Sequence, residues 1–583
     1  MRTTKLLKVD HGSVTDHLLH YDDLSPILDR NNIMKSRFTH VPECTAPFHS
    51  KVLEKLLDHA KAMPDRIALL HAENPSECIT YRELHRQAHS LASFLSNRGF
   101  AHQDVCCQIL PNCIEYVPSY LGVMLAGGAS LGANGNCTQE ELEYAFNVTK
   151  CKVVITNTNL LRKVIAAAKY CPFIEVLICV KLPFAERIPK GLFPWKEVVG
   201  STVSFSADRI HSADDAALIQ FTCGVNGPRK AVVMSHKNIS TNLDILCSYF
   251  SRYLYPKLGH DRKTNEFIPY KENAILTMPF HHMYGFDYLN RALVEGTTGV
   301  ILRKFHNTVF LNSIQKFRPR ILHVVPPLVL FLLANPLVKE YDLSSLEAVV
   351  LGTPPFIHGI VSEFLQKFEH VKYLIQAYGW TECGIGFMSS LKRRRGKATI
   401  LPSFEQKMLS TDSDVAVGLE QVGEICLRTP TLMKGYLNSP EETAKVIDAD
   451  GWFRTGDLGV LDRNGQTVVV NQKEELIRVG GTLVTSSELE QALMSHRDVV
   501  DAGVIGIPDG KLGEKPRAYV VTNNRRLKAE EIAKFISEKV EPHKALTGGV
   551  EIVNWIPRTP SGKILRRLLR HRFENHGNNH AAS

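Results

Sequence analysis

The run Ile219-Gln-Phe-Thr-Cys-Gly-Val-Asn-Gly-Pro-Arg-Lys230 limits the architectures open to this chain more than any other segment. An apolar stretch enters a loop of small residues, the loop closes on a lysine, and the chain runs straight into the β-branched stretch Ala231-Val-Val-Met234. Two glycines and a proline allow a tight turn with exposed N–H groups, and Lys230 adds a cation. Together these make a cradle suited to a polyphosphate. A strand is predicted on each side, so the unit is strand–loop–strand. The strand–loop–helix phosphate loop needs Gly-Lys-Ser/Thr opening a helix, whereas here Lys230 follows Arg229 and no hydroxyl comes next. Taken alone, the same residues also describe an ordinary β-hairpin with a basic turn.

From about Phe48 the pattern alternates. Val52 to Met63 has helical periodicity, and Ile79-Thr-Tyr-Arg-Glu-Leu84 opens a second helix with Thr80 and Glu83 spaced as a capping box. Val153-Val-Ile-Thr156 and Val176-Leu-Ile-Cys-Val180 read as strands between helices, which argues for an α/β sheet architecture. Ile321 to Val338 is apolar, but His323, Asn335 and three prolines make it a buried strand and helix rather than a membrane span. The texture changes near Gly423. Gly423-Glu-Ile-Cys-Leu427 and Thr467-Val-Val-Val470 look like antiparallel strands, and Asp462-Arg-Asn-Gly465 is a turn. After Asn471-Gln-Lys-Glu-Glu475 comes a compact βαβ-like stretch: a helix from Ser487 to His496, then runs Val499 to Ile507 and Arg517 to Val521. The expected fold class is α/β, with a large N-terminal domain of mixed sheets flanked by helices, a β subdomain, and a small α+β C-terminal domain. The expected divisions are an N-terminal extension (1–47), the large domain (48–470), a hinge (471–475), the small domain (476–572) and a disordered tail (573–583).

Composition narrows the function. The 583 residues are 44% hydrophobic and 22% charged, enough for several cores and at least two domains. A net charge of +9 is spread over this length, which does not suit nucleic acid. The dense cluster Lys392-Arg-Arg-Arg395 with Lys397 reads as a solvated loop. The basic amphipathic stretch Leu565-Arg-Arg-Leu-Leu-Arg570 reads as a terminal helix packed on its own domain, with contact to a membrane surface as the alternative. The 13 cysteines have no Cys-x-x-Cys pair and no zinc spacing, and read as buried thiols in a reducing compartment. Met1 to Lys8 is too short an apolar region for a signal peptide, and the final Ala-Ala-Ser is not a peroxisomal Ser-Lys-Leu signal. The expected location is the cytoplasm, and the sequons at Asn136, Asn147 and Asn238 are expected to be silent.

Further segments line up with the first loop: Pro279-Phe-His-His-Met-Tyr-Gly285, Gln376-Ala-Tyr-Gly-Trp-Thr-Glu382, Gly451-Trp-Phe-Arg-Thr-Gly-Asp457 and Pro557-Arg-Thr-Pro-Ser-Gly-Lys563. Gly423-Glu-Ile to Lys434-Gly-Tyr436 adds a sixth. In this order and spacing the chain resembles the adenylate-forming superfamily of acyl-CoA synthetases, 4-coumarate–CoA ligases, luciferase and peptide-synthetase adenylation domains, over about residues 50 to 570. The resemblance implies attack of a carboxylate on the α-phosphate of ATP, release of pyrophosphate, and transfer of the acyl group to coenzyme A. It implies that Thr222, Gly224, Gly227 and Lys230 cradle the terminal phosphates, with Lys230 neutralising the departing pyrophosphate. It implies that Glu382, after Thr381, binds Mg²⁺, that Tyr378 stacks on adenine, and that Asp457 accepts from the ribose hydroxyls. Gly352 would pass beside nucleotide and acid. Lys563 would bridge carboxylate and α-phosphate once a mobile small domain closes. His282 would gate the passage between acid and thiol, and Gly480-Gly481 would face the pantetheine entry.

The chain also departs from the superfamily pattern. Cys223, Val225 and Asn226 replace hydroxyl residues, Pro228 stands one place early, and Ala231 replaces a usual glycine. Asn471-Gln472 stands where Asp-Arg is common. A hydrogen bond to a charged group contributes about 1.5–3 kcal/mol, so the loss at Gln472 costs about ten- to a hundredfold in affinity or rate. Two readings follow: an active ligase with a weakened nucleotide site, or a pseudo-enzyme that binds acyl ligand or nucleotide without turnover. A carrier-loading adenylation domain is disfavoured, since no carrier segment follows in the sequence. The segments holding Met283, Tyr284, Phe286 and Trp380 are apolar or aromatic, which suits a fatty or aryl acid.

Overall fold

A computed structural model describes residues 28–182, 187–200, 210, 212–222, 229–259, 267–352, 358–389, 391, 397–480, 482–559 and 562–580. The cradle positions Cys223 to Pro228, including Gly224 and Gly227, lie outside the described residues, as do Gly481 and the cluster 392–395. Four sheets are present among the described residues. One has eight strands, with strand Ala216–Phe221 beside strand Ala129–Gly132. Its parallel strands Val105–Ile109, Val153–Asn157 and Val176–Val180 are joined through helices, as the alternation requires. A four-stranded sheet is built on Ile67–His71 and Thr298–Ile301. The largest sheet has eleven strands. Ile321–Val324, Ala348–Gly352 and Tyr373–Trp380 run parallel, and it then turns antiparallel through Gly384–Ser389. It carries the β-rich region of Val422–Arg428, Phe453–Leu461 and Thr467–Gln472. The turn Asp462 to Gly465 closes where expected, with Gly465 N–H donating to Asp462 O at 3.0 Å.

Ile321 to Val338 is indeed a strand and a helix. Val325 is extended before Pro326, and the helix Pro326–Ala334 begins on the proline pair, where a missing N–H costs nothing. Among the described residues no helix is long and apolar enough to cross a membrane. Thr80 caps the helix Tyr81–Ser96 by accepting from Glu83 N–H at 3.2 Å. The short strand Met34–Lys35, from the segment read as an extension, pairs with Glu405–Gln406 in the eleven-stranded sheet.

The remaining sheet belongs to the C-terminal region and begins at Leu476–Val479. The helix Ser486–Met494 follows two strands and leads into Val499–Asp509, as the expected strand and helix order requires. Val499–Asp509 and Gly513–Thr522 form an antiparallel hairpin, because only three residues join them and a parallel crossover needs about a dozen. The last helix runs Arg566–His580, past the point where the tail was expected to be disordered. Phe573 packs on the cluster of Ile505, Tyr519 and Ile556, and Arg572 pairs with Glu551 at 2.8 Å, which holds the helix beyond residue 572. Leu569 is buried and Arg566 is 4% exposed, so this basic stretch packs on its own domain. Of the described cysteines, nine are buried and Cys78 is exposed.

Candidate functional site

Strands Ala216–Phe221 and Ala231–Ser235 form the antiparallel hairpin foreseen around the cradle. Thr222 and Lys230 close it: Thr222 N–H donates to Lys230 O at 2.9 Å, and Lys230 N–H donates to Thr222 Oγ1 at 3.0 Å. The Lys230 ammonium reaches Glu442 at 2.7 Å and lies over the Tyr436 ring. Lys230 and then Lys445 hold the Glu442 carboxyl down at about 2. Tyr436 Oη donates to Glu382 Oε1 at 2.8 Å. A continuous chain therefore links the cradle lysine to the expected Mg²⁺ carboxylate through one tyrosine. Tyr436 was visible in the sequence only as part of a motif, and Glu442 not at all, because neither has a pattern until strand Gly435–Tyr436 pairs with Val232 and Val233.

Glu382 sits in the turn that Thr381 opens, between strands Tyr373–Trp380 and Gly384–Ser389. The turn is clamped from below: Met433 N–H donates to Glu382 O at 2.7 Å and Thr431 Oγ1 donates to Cys383 O at 2.7 Å. Gly384 takes φ +75°, and a Cβ there would stand 2.7 Å from Asn242 Oδ1, so glycine is required on both counts. Burial raises the Glu382 carboxyl, against the pull of Tyr436 and of Lys563. Lys563 also acts on Glu475. Lys563, from the C-terminal region, therefore lies within electrostatic reach of Glu382 and Glu475. Thr559 N–H donates to Lys563 O at 2.8 Å and Lys563 N–H donates to Thr559 Oγ1 at 3.0 Å, and Gly562 packs on Pro327.

Asp457 is 1% exposed. Its Oδ2 accepts from Tyr378 Oη at 2.5 Å and from Trp380 Nε1 at 2.6 Å. The two expected nucleotide residues thus hold each other, and Trp380, read as a pocket wall, is a donor. The Tyr378 and Trp380 rings meet edge to face at 4.6 Å. Asp457 also pairs in register with Gln472 across strands Phe453–Leu461 and Thr467–Gln472. Gly480 makes a left-handed turn at φ +57° and donates to Leu512 O at 2.8 Å, in the C-terminal sheet.

His282 precedes helix Met283–Val294, and burial lowers its imidazole pKa, favouring the neutral ring. His282, Thr222, Tyr284 and, from the C-terminal region, Thr559 line one cavity of about 2080 Å³. Tyr378, Glu382 and Asp457 are not among the residues that line this cavity. Gly352 ends strand Ala348–Gly352, and a Cβ there would lie 2.3 Å from Tyr284 Cε1. No group of three or more His, Cys, Asp or Glu side chains able to hold a metal occurs among the described residues. A lone carboxylate such as Glu382 suits a cation brought with a nucleotide, since Mg²⁺ keeps most of its shell as phosphate oxygens and water.

A cradle lysine, a carboxylate tied to it, a second lysine from the C-terminal region and a large cavity lined by both regions fit an adenylate-forming enzyme. Comparison agrees. Residues 56–437 match the model for the AMP-binding enzyme family, and residues 488–563 match that of the AMP-binding enzyme C-terminal domain. The chain belongs to the AMP-binding enzyme family and is an acid–thiol ligase. It is 30% identical over 545 residues to 4-coumarate–CoA ligase 1 of Petroselinum crispum, covering 91% of this chain and 96% of that protein. It is 33% identical over 523 residues to a probable CoA ligase of Humulus lupulus, covering 88% and 91%. The crystal structure of ATP-bound MatB from Rhodopseudomonas palustris has the same fold, with TM-score 0.77 at 24% identity, covering 89% of this chain and 99% of that one.

Proposed function

We propose that the chain activates an apolar carboxylic acid with MgATP and passes the acyl group to coenzyme A. The observation that carries this reading is the Lys230–Tyr436–Glu382 chain with Lys563 of the C-terminal region within electrostatic reach of Glu382. The β- and γ-phosphates of ATP arriving at the cradle compete with Glu442 for Lys230, so the cation that neutralises the departing pyrophosphate is already in place. Glu382 holds the Mg²⁺ carried by the nucleotide, and Tyr436 keeps its carboxyl oriented. Tyr378 and Asp457 take adenine and ribose once their mutual hydrogen bond opens. Lys563 supplies positive charge where carboxylate and α-phosphate meet. The C-terminal domain turns on residues 471–475 after adenylation, withdrawing Lys563 and bringing Gly480 and Gly481 to the thiol path. Neutral His282, at the cavity, stands between acid and thiol.

The test is acid-dependent pyrophosphate release with ATP and Mg²⁺ over a panel of fatty and aromatic acids, with and without coenzyme A. Release at least about a hundredfold above that of Lys563→Ala is expected, the scale of losing one transition-state charge contact. Release equal to that control refutes the roles of Lys563 and its neighbours, and release without thioester formation refutes the coenzyme A step.

A further inference from the structure

We propose that the ion pair between Lys473 and Glu424 is a releasable latch that holds the C-terminal domain in the adenylating orientation, which makes both of them positioning residues for the first half-reaction. This rests on the ligase reading above and names the contact that sets the balance between its two steps.

The hinge holds on to both domains within three residues. Strand Thr467–Gln472 ends on Gln472, in register with Asp457, and the short 3₁₀ turn Lys473–Glu475 follows. Lys473 Nζ donates to Glu424 Oε2 at 3.0 Å, and Glu424 lies on strand Val422–Arg428 of the large domain. Glu475 belongs to the other side. Its carboxylate accepts from Arg566 Nη1 at 2.6 Å, and its carbonyl oxygen accepts from Ser486 Oγ at 2.8 Å. Arg566 also donates to Glu490 at 2.6 Å and to Val504 O at 3.1 Å. It stands on the same short run as Lys563, so the Glu475 contact ties the hinge to the loop that carries the second lysine.

The two contacts differ in what it costs to part them. The Arg566 and Glu475 side chains are 5% and 7% exposed, and the groups around them belong to the C-terminal domain, so this pair travels with the domain. The Lys473 side chain is 39% exposed and that of Glu424 only 5%. The lysine can step into water at little cost, but the carboxylate it leaves stays buried. Arg454 is within electrostatic reach of Glu424, yet it is engaged by Asp414. A turn of the domain therefore parts Lys473 from Glu424 and keeps Arg566 on Glu475. While the latch is closed, Gly562 lies against Pro327 and Lys563 stays within electrostatic reach of Glu382. The pair thus favours one of two orientations, and it shifts their populations by the free energy it supplies to that one alone.

The test uses the full chain with octanoate or cinnamate, whichever releases more pyrophosphate, and reads the half-reactions apart. Acid-dependent ATP–pyrophosphate exchange without coenzyme A reports adenylation. Thioester formation from the synthetic acyl adenylate and coenzyme A reports the second step. Lys473→Met leaves Glu424 equally unpaired in both orientations, so it should lower the ratio of exchange to thioester formation about tenfold, the scale of one hydrogen bond to a charged group. Glu424→Gln removes the pair from the other side and should shift the ratio the same way. Lys473→Arg keeps the charge and should hold the ratio within about threefold of the wild type. High salt should lower the ratio in the wild type more than in Lys473→Met, because the lysine end of the pair is open to solvent. A folding defect lowers both half-reactions together and leaves the ratio alone. A ratio unmoved by both Lys473→Met and Glu424→Gln overturns the latch while leaving the ligase reading intact. Absence of both half-reactions in the wild type with every acid of the panel refutes both.

Discussion

Asp287 lies on the helix that carries Tyr284, and it is 5% exposed. One oxygen is served: Asn242 Nδ2 donates to Asp287 Oδ1 at 2.8 Å. The other, Oδ2, has no partner, and neither has Asn242 Oδ1. Burial pushes the Asp287 carboxyl up to about 7 from 3.8, against the Asn242 hydrogen bond. A buried Oδ2 without a donor favours the neutral acid, which carries no charge there. The sign follows. Between pH 3.8 and about 7 the folded chain keeps a proton that the unfolded chain has released, so stability is full below 3.8 and declines as pH rises to about 7. At about 1.4 kcal/mol per pH unit, falling off near pH 7, roughly 2 kcal/mol is lost between pH 5 and 7. Asp287→Asn keeps the shape and carries no charge at any pH. The variant should match the wild type within about 1 kcal/mol at pH 5 and exceed it by about 2–4 kcal/mol at pH 8. Urea unfolding of both proteins from pH 5 to 8 measures this, and the difference at each pH cancels every other titrating group. A difference that does not change with pH would refute the reasoning.

Other outcomes follow from the site and the C-terminal region. Arg566 is buried and pairs with Glu475 and Glu490, each at 2.6 Å. Arg566→Ala leaves the buried Glu475 and the part-buried Glu490 without their cation, and should cost the C-terminal domain about 3–5 kcal/mol, read as faster limited proteolysis of that domain. Tyr436→Phe removes the donor to Glu382 and should raise KM for MgATP about tenfold with the melting temperature nearly unchanged, read from initial rates and thermal melts. An unchanged KM would detach Tyr436 from the nucleotide site.

The hairpin around Lys230, the strand and helix after Ile321, and the turn at Gly465 could all be read directly from the chain. They depend on periods of two and 3.6 and on glycine and proline, which act over a few residues. The ordered motifs likewise marked Lys230, His282, Glu382, Asp457 and Lys563 as candidates, since each stands in a recognisable run. Partners were not legible. The sequence separations of Tyr436 from Glu382 and of Glu442 from Lys230 are 54 and 212 residues, and no local pattern relates such positions. Asp287 and Asn242 look like ordinary polar residues on two helices until packing buries both. Strand pairing was not legible either: alternation identifies strands, but pairing direction depends on the length of the connection and on what covers the faces.

By itself, then, the sequence determined the elements, the α/β class and the adenylate-forming chemistry, because these reside in local conformation and in side chains that must recur together. Only the tertiary structure decided that Lys230 is held by Glu442, that Asp457 is clasped by Tyr378 and Trp380, and that Tyr284 stands fixed against Gly352. Hydrogen bonds and ion pairs act over a few ångströms of space, and residues hundreds of positions apart come within that range only when the sheets and the C-terminal domain have packed.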